Sequence, residues 1–215
     1  GRVNPAHFCA TLRSQLNDDA IVVADDGNHT FLLAELMPIH VPRGFVSPSD
    51  FNALGYCVPA VIGAKLANPQ RQVVGVVGDG ALRMTGLELL TASGLGLGVV
   101  VYVFSDGELS QIAQAQEIPY NRKPCTQLPP LNLAALAQAC GAAYVEMAND
   151  GQCTSAISKA QQMASDGRTV LVNVHIDYSK RTCFTDGVVK ATLQRFTPRD
   201  KLRVVGRALW RRITG

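Results

Sequence analysis

Short runs of consecutive apolar residues alternate along the chain with stretches in which apolar residues recur every three to four positions. The runs are rich in valine and isoleucine and lie at 20–24, 73–77, 99–104, 143–147 and 169–174. Strands that are apolar throughout, rather than at alternate positions, are typical of sheets covered on both faces. The pattern therefore predicts an α/β fold with a doubly wound, mostly parallel sheet and helices on both faces.

Helical spacing fills most of the segments between these runs. Asn132 is a good cap for a helix that stops at Gly141, and Asn149 or Asp150 caps the next one. The other predicted helices cover 30–37, 51–68, 82–93 and 198–212. These helices are enough to cover both faces of the sheet.

Composition and charge exclude several classes of protein. The 215 residues are 47% hydrophobic, which is enough for one substantial core. A net charge of +3, with the basic excess confined to 201–212, does not indicate a nucleic-acid partner. No apolar run reaches the roughly 18 residues of a membrane span, and the N-terminus does not resemble a signal peptide. We therefore expect a soluble, cytoplasmic protein without a membrane partner.

The six cysteines form no CxxC pair and show no zinc-finger spacing, so we expect reduced and mostly structural thiols. They are Cys9, Cys57, Cys125, Cys140, Cys153 and Cys183. The chain starts without methionine, in the turn-like sequence Gly-Arg-Val-Asn-Pro. We therefore expect it to be a piece of a longer protein.

Carboxylates and glycines follow three of the predicted strands. The sequences are DDGNH at 25–29, GDG at 78–80 and SDGE at 105–108. Parallel sheets bind ligands beyond the carboxyl ends of their strands, and carboxylates that share such a crevice favour a divalent cation. Glycines and a helix N-terminus favour an anion at the same place. The residues thus indicate a metal and a phosphate, although a helix-capping Asp79 and an ordinary turn at Asp106 remain alternatives.

Three blocks of sequence together resemble the thiamine-diphosphate enzymes, specifically acetolactate synthases. GDGALRMTGLELLTA at 78–92 is similar to their cofactor-binding motif, which starts with GDG. ALGYCVPAVIGAKLANP at 53–69 looks like the preceding helix, and AIVVADDGNHTF at 20–31 resembles the first strand and its phosphate-contacting turn. The resemblance covers about 8–175, and the blocks occur in family order.

The resemblance implies a site for Mg²⁺ and for the diphosphate part of thiamine diphosphate. Asp79, the side chain of Asp106 and the backbone carbonyl of Glu108 would ligate the ion, together with diphosphate oxygens and water. Leu54 would wedge between the two rings of the cofactor, and the Asn52 carbonyl would hold its 4′-amino group. The cofactor contacts that the resemblance assigns are Gly27, Asn28, His29, Asn52, Leu54, Gly78, Gly80, Ala81 and Met84.

Some positions depart from the family pattern. Ser105 stands where the first asparagine of the closing pair is usual, and Asp106 where many members have asparagine. Asn52 stands where glycine is common. Asp25 and Asp26 replace a pair such as Glu-Val beside the expected phosphate, and the sequence offers no physical reason for two acids there.

The glutamate that contacts the pyrimidine N1′ in this family has no counterpart in the chain. The family supplies it from a pyrimidine-binding domain, across a dimer interface. No glutamate has a matching context among Glu35, Glu88, Glu108, Glu117 and Glu146. We therefore expect no catalytic residue here, and a single diphosphate-binding domain over 1–215, with 176–215 as a C-terminal extension. The implied partners are the pyrimidine-binding domain and further copies in a homodimer or tetramer.

Three functions remain open at this stage. The first is an acetolactate synthase-like enzyme that decarboxylates a 2-oxo acid and ligates the product to an acceptor. The second is a simple 2-oxo acid decarboxylase or a 2-hydroxyacyl-CoA lyase, and the third is a catalytically silent cofactor-binding domain. The basic helix at 198–212 either packs on its own domain or covers the active site or a CoA phosphate.

Overall fold

The fold of the computed structural model, which describes residues 1–180, 190–191 and 193–214, is built on one parallel sheet. Its six strands lie in the order β2-β1-β3-β4-β6-β5. The register places Ile21 opposite Val73, Val74 opposite Val100 and Val100 opposite Val170. The strands are β1 Ile21–Ala24, β2 Phe45–Val46, β3 Val73–Gly78, β4 Val100–Phe104, β5 Ala143–Met147 and β6 Val170–Val174. The predicted α/β class is confirmed.

Helices cover both faces of this sheet, as predicted. The helices are α1 Pro5–Ser14, α2 Asn28–Leu36, α3 Cys57–Ala67, α4 Asp79–Thr85, α5 Leu89–Gly94, α6 Ser110–Tyr120, α7 Leu133–Ala139, α8 Cys153–Ser165 and α9 Pro198–Thr214, with short 3₁₀ turns at Gly86–Glu88 and Asp150–Gln152. Helices α1, α2 and α8 pack on one face, and α3, α4, α5 and α7 pack on the other. The strands are apolar throughout because each face meets a helix layer.

Helix α1 was not predicted, because the sequence before it was interpreted as a turn. Asn4 caps the helix, and its Oδ1 accepts hydrogen bonds from the backbone N–H groups of Ala6 and His7. Phe8 anchors α1 on the sheet through edge-to-face contacts with Tyr102 and Phe104, at ring-centroid distances of 5.3 and 4.9 Å. The turn-like residues are therefore a helix start.

Other boundaries differ from the predictions as well. The helix predicted over 51–68 begins only at Cys57, and Phe51, the first residue of the predicted range, is 90% exposed. The segment 82–93 is two short helices joined by a 3₁₀ turn. The two-residue edge strand β2 and helix α6 were not predicted.

The predicted helix caps had opposite outcomes. Asn132 accepts a hydrogen bond from the N–H of Ala135 at 3.0 Å, which confirms this cap, and Gly141 follows the helix with a left-handed φ of +69°. The prediction that Asn149 or Asp150 caps α8 is wrong. The Asp150 carboxylate instead accepts from the backbone N–H of Asn4, 146 positions away in the chain.

The cysteine prediction is confirmed for the buried thiols. All of Cys9, Cys57, Cys140 and Cys153 are free and buried, and Cys125 is free and exposed. Cys183 lies outside the described residues. In the part of the chain that the structure describes, no helix combines the length and the apolar character needed to cross a membrane.

Asp25, at the end of β1, ties the turn before α3 to the sheet. Its Oδ1 accepts from the N–H groups of Asp26 and Gly55 at 2.9 Å, and its Oδ2 from that of Cys57 at 2.7 Å. Burial raises the pKa of this carboxyl, and the backbone hydrogen bonds partly offset that effect. The structure thus gives a physical reason for the acid at position 25, which fixes the turn over 51–56.

We predict that Asp25→Asn lowers the free energy of unfolding by about 1–3 kcal/mol. In asparagine, one of the two accepting oxygens is replaced by an NH₂ group. At least one of the backbone N–H groups that now donate to Asp25 would therefore face another donor and lose its hydrogen bond. Urea denaturation measures the change, and Asp50→Asn is the control because Asp50 is exposed. Equal stabilities of the two variants would contradict the role of Asp25.

Candidate functional site

A cleft of about 240 Å³ lies beyond the carboxyl ends of β1, β3 and β4. This is the edge at which parallel sheets bind ligands. The cleft brings together all the predicted site residues except one. Those that line it are Gly27, Asn28, His29, Asn52, Leu54, Gly78, Asp79, Gly80, Ala81, Asp106 and Glu108.

Met84 is the predicted cofactor contact that does not line the cleft. It lies on α4, and its side chain is 63% exposed. A Cβ atom added to Gly55 would lie 2.7 Å from the Met84 Cβ, so the two residues are in close contact. Met84 therefore packs against the turn over 51–56 outside the cleft.

The start of α2 forms one end of the cleft. Gly27 occupies the N-cap position with a φ of +147° and provides no side-chain cap, so the first N–H groups of the helix stay open. Among the described residues, both polar atoms of the Asn28 amide and the Nε2 of His29 are buried without a hydrogen-bond partner. The Asn28 amide nitrogen is a donor, and an unpartnered donor beside a helix N-terminus fits an anion such as a phosphate.

His29 is neutral near pH 7. Burial of its ring lowers the pKa to about 4, and the backbone carbonyl of Asp25 partly offsets this effect. The ring also fills the space beside two glycines: a Cβ added to Gly27 would lie 2.7 Å from its Cε1, and one added to Gly78 would lie 3.2 Å away. The glycines therefore leave room for the imidazole at the cleft wall.

Two carboxylates line the cleft after β3 and β4. The Oδ2 of Asp79 accepts a hydrogen bond from the N–H of Gly107 at 2.9 Å, and Asp106 accepts one from the Ser110 hydroxyl. Burial raises the pKa of both carboxyls, and repulsion from Asp79 raises that of Asp106 further. Gly78 rather than Asp79 occupies the N-cap position of α4. Two oxygen-donor groups that face one cleft suit a hard divalent cation.

Glu108 stands beside these carboxylates with its own side chain engaged elsewhere. Its Oε1 accepts from Thr126 Oγ1 and Gln127 Nε2, both at 2.8 Å, and its Oε2 lies 3.7 Å from Lys123 Nζ. Glu108 also pairs with Gln127 in an isolated antiparallel bridge. The two hydrogen bonds of this bridge run from the N–H of Leu109 to the carbonyl of Thr126 and from the N–H of Leu128 to the carbonyl of Gly107. The Glu108 carbonyl takes no part in those bonds.

The turn over 51–56 supplies the third side of the cleft. Asn52 has a left-handed φ of +50°, a conformation that asparagine tolerates better than most residues, which explains how it occupies a position where the family commonly has glycine. With its amide nitrogen turned toward acceptors, Asn52 reaches Asp26 Oδ1 and Ser49 O at 3.3 Å. Leu54 is 43% exposed and lines the cleft.

Several lining residues were missed by the sequence analysis. They are Phe104, Leu109, Ser110, Gln111, Ile112 and Tyr178, whereas Asp26, which also lines the cleft, was already noted as an acid beside the expected phosphate. Four of them lie at the start of α6, a helix that was not predicted. Tyr178 follows β6, and burial together with Asp106 and Asp79 raises its pKa well above the usual value. Its place just past a strand end is the one sequence signal that pointed to it.

Residues 25–174 match the family model for the thiamine pyrophosphate enzymes, C-terminal TPP binding domain. Among curated proteins, the chain is 29% identical over 183 residues to the acetolactate synthase isozyme 3 large subunit of Escherichia coli. That alignment covers 83% of this chain and 32% of the relative. The acetolactate synthase large subunit of Lactococcus lactis is 30% identical over 149 residues, which cover 68% of this chain and 26% of the relative.

A solved structure has the same fold. It is a thiamine diphosphate-dependent 4-hydroxybenzoylformate decarboxylase of Rhodococcus jostii, with a TM-score of 0.75 and 25% sequence identity, and the match covers 83% of this chain and 33% of that one. The chain thus spans between a quarter and a third of the length of these relatives. It belongs to the family of C-terminal TPP binding domains of thiamine pyrophosphate enzymes.

Proposed function

We propose that the cleft holds the diphosphate of thiamine diphosphate through a Mg²⁺ ion. The observation that carries this proposal is the pair of carboxylates of Asp79 and Asp106 in the same cleft as the unpartnered Asn28 amide and the N-terminus of α2. Mg²⁺ takes one or two carboxylates together with phosphate oxygens. The third protein ligand is the Glu108 carbonyl, which the bridge to Gln127 leaves out of its hydrogen bonds.

Residues of this chain hold the metal-binding carboxylates in place and bind the diphosphate. The N–H of Gly107 and the hydroxyl of Ser110 hold the two carboxylates in place. The Asn28 amide nitrogen and the open backbone N–H groups of Asn28 and His29 donate hydrogen bonds to the diphosphate, as do the first N–H groups of α4, at Gly80 and Ala81. Bound thiamine diphosphate supplies the electron sink that decarboxylation of a 2-oxo acid needs.

Leu54 and Asn52 position the rings of the cofactor. Leu54 extends an apolar side chain at the cleft, as a wedge between the two rings requires. Asp25 restrains the turn that carries Leu54, because it accepts hydrogen bonds from the N–H groups of Gly55 and Cys57. The Asn52 carbonyl accepts a hydrogen bond from the 4′-amino group. A restrained turn favours catalysis, because one cofactor conformation is selected before the substrate arrives.

For the whole protein we propose an acetolactate synthase-like activity, in which a 2-oxo acid is decarboxylated and joined to an acceptor. The curated relatives described above, both acetolactate synthase large subunits, support this assignment. A simple 2-oxo acid decarboxylase is the second candidate, because the structural relative is a decarboxylase. A 2-hydroxyacyl-CoA lyase and a silent cofactor-binding domain are further candidates. The enzyme candidates can be distinguished by the acceptor substrate that each one uses.

The glutamate for the pyrimidine N1′ comes, in this proposal, from a pyrimidine-binding domain outside this chain. Of the five glutamates considered, only Glu108 lines the cleft, and its carboxylate is occupied by Thr126, Gln127 and Lys123. Phe51 is almost fully exposed, and Leu54 and Met84 expose much of their apolar surface on the same turn and the helix behind it. That surface suits a covering domain in a homo-oligomer.

We predict that Asp79→Ala weakens metal-dependent binding of thiamine diphosphate by several kcal/mol, roughly 100-fold or more. The variant loses one ligand and leaves the diphosphate facing Asp106 with less compensating charge. Asp106→Asn should be much milder, because its amide oxygen still ligates. Calorimetric titration with Mg²⁺ and with EDTA measures both. Unchanged affinity of Asp79→Ala would exclude the metal assignment, and complete loss in Asp106→Asn would contradict the equivalence of Asp106 with the asparagine that is common in the family.

We predict that His29 makes the folded protein sensitive to acid. Its pKa is about 4 in the folded protein, against about 6.5 in an unfolded chain, so only the unfolded chain takes up a proton between these values. This contribution to stability is complete above pH 6.5 and decreases as the pH falls toward 4, by roughly 3 kcal/mol in total. His29→Gln lacks the effect. Urea denaturation of both proteins at several pH values measures the difference, and parallel pH profiles would contradict it.

We predict that the 215-residue chain alone shows no turnover of pyruvate or other 2-oxo acids with thiamine diphosphate and Mg²⁺. Proton transfer at the cofactor needs a glutamate at the pyrimidine N1′, and Glu108, the one of the five glutamates considered that lines the cleft, has its carboxylate engaged elsewhere. Adding the pyrimidine-binding domain as a separate polypeptide should restore activity. Robust turnover by the chain alone would refute the two-domain proposal. Cofactor binding without turnover by the full-length protein would favour the silent domain.

A further inference from the structure

Three side chains that can ligate a metal meet at a second place in the molecule. They are His7 in the first turn of α1, Asp150 in the turn before α8, and Cys153 at the start of α8. Their ring nitrogen, carboxylate oxygen and Sγ atoms all lie within 4.8 Å of one another. None of the three lines the cofactor cleft. The cluster is therefore separate from the proposed magnesium site.

The backbone holds these three residues together without using their free ligand atoms. Asn4 joins the two segments, because its side chain caps α1 and its backbone N–H donates to Asp150 Oδ1 at 2.7 Å. Phe8, the residue after His7, is fully buried against the sheet. The positions of His7 and Asp150 are thus fixed relative to each other by contacts that a bound ion would not disturb.

The ligand atoms themselves are available. Within the described ranges, the His7 imidazole makes no hydrogen bond or ion pair, and only one oxygen of Asp150 has a partner. Cys153 Sγ is buried, and its polar contacts are the weak ones to Met147 Sδ at 3.7 Å and Asn149 O at 3.9 Å. A free imidazole, a half-used carboxylate and a thiol therefore point to the same small space.

We propose that His7, Asp150 and Cys153 form a binding site for Zn²⁺. Nitrogen, sulfur and carboxylate oxygen together are a zinc ligand set, whereas Mg²⁺ prefers oxygen alone. Ligands of a tetrahedral zinc ion lie roughly 3.3–3.8 Å apart, so closure needs movements of about 1 Å. His7 and Asp150 are exposed side chains that can make them. Water takes the fourth position from the solvent side.

A metal ion at this site would link α1 to α8 and restrain the chain beside the cofactor cleft. Val3, which precedes α1, accepts a hydrogen bond from the N–H of Asp177 and donates one to the carbonyl of His175. The next residue, Tyr178, lines the cleft. The ion therefore stabilises the folded protein, since it binds only when both helices are in place.

Zinc titration of the purified protein in excess Mg²⁺ tests the site, because Mg²⁺ occupies the carboxylates of the cofactor cleft. We expect one Zn²⁺ per chain and at least a tenfold loss of affinity in His7→Gln and in Asp150→Asn, which keeps the oxygen that accepts from Asn4. His40→Gln is the matched control, because His40 is an exposed histidine beside Asp18. Equal affinity in His7→Gln and His40→Gln, or no binding in the unaltered protein, would overturn the proposal.

Cobalt absorption tests the sulfur ligand separately. Co²⁺ bound to a thiolate gives a near-ultraviolet charge-transfer band, which we expect in the unaltered protein and in Cys125→Ser, and which we expect to be absent in Cys153→Ser. Cys125 is the exposed thiol that could bind the ion instead. A band that disappears in Cys125→Ser would overturn the site. If Cys153→Ser does not fold, loss of the band in His7→Gln supports the site and its persistence there refutes it.

Discussion

The cleft beyond β1, β3 and β4 depends on one buried carboxylate that does not line it. Asp25 ends β1 inside the protein, where an unpaired charge would be strongly unfavourable. Three backbone N–H groups compensate it, and two of them come from the turn before α3. If the turn moved away from the sheet, the Asp25 carboxylate would lose two of its hydrogen bonds. The turn therefore stays in place, and Asn52 and Leu54 line the same cleft as the start of α2.

The sheet and much of the cleft could be predicted from the sequence because their determinants are local. Strands buried on both faces are apolar at every position, so they are recognisable without knowledge of their neighbours. The residues after β1, β3 and β4 meet at one edge as a consequence of parallel strand direction. The Asn132 cap was predictable for the same reason, since its partner is three residues away.

The errors lie where distant segments decide the local structure. The turn over 51–56 has helical spacing, yet a carboxylate 30 positions earlier holds it in another conformation. Asp150 has the chemistry of a helix cap, but the backbone of Asn4 competes for it. Met84 belongs to the GDG block in sequence but does not line the cleft, and its Cβ lies close to Gly55 in the turn over 51–56. Periodicity carries no information about such partners.

The second glycine of the GDG sequence has a steric role that a phosphate does not explain. A Cβ atom on Gly80 would lie 2.5 Å from Cδ2 of Leu109, the residue that leads into α6. The two residues therefore share one fixed volume between the start of α4 and the start of α6. A larger residue at one position requires a smaller one at the other, so the pair should covary among related sequences. An isolated alanine at position 80 would force the Leu109 side chain to move, whether or not the cofactor is bound.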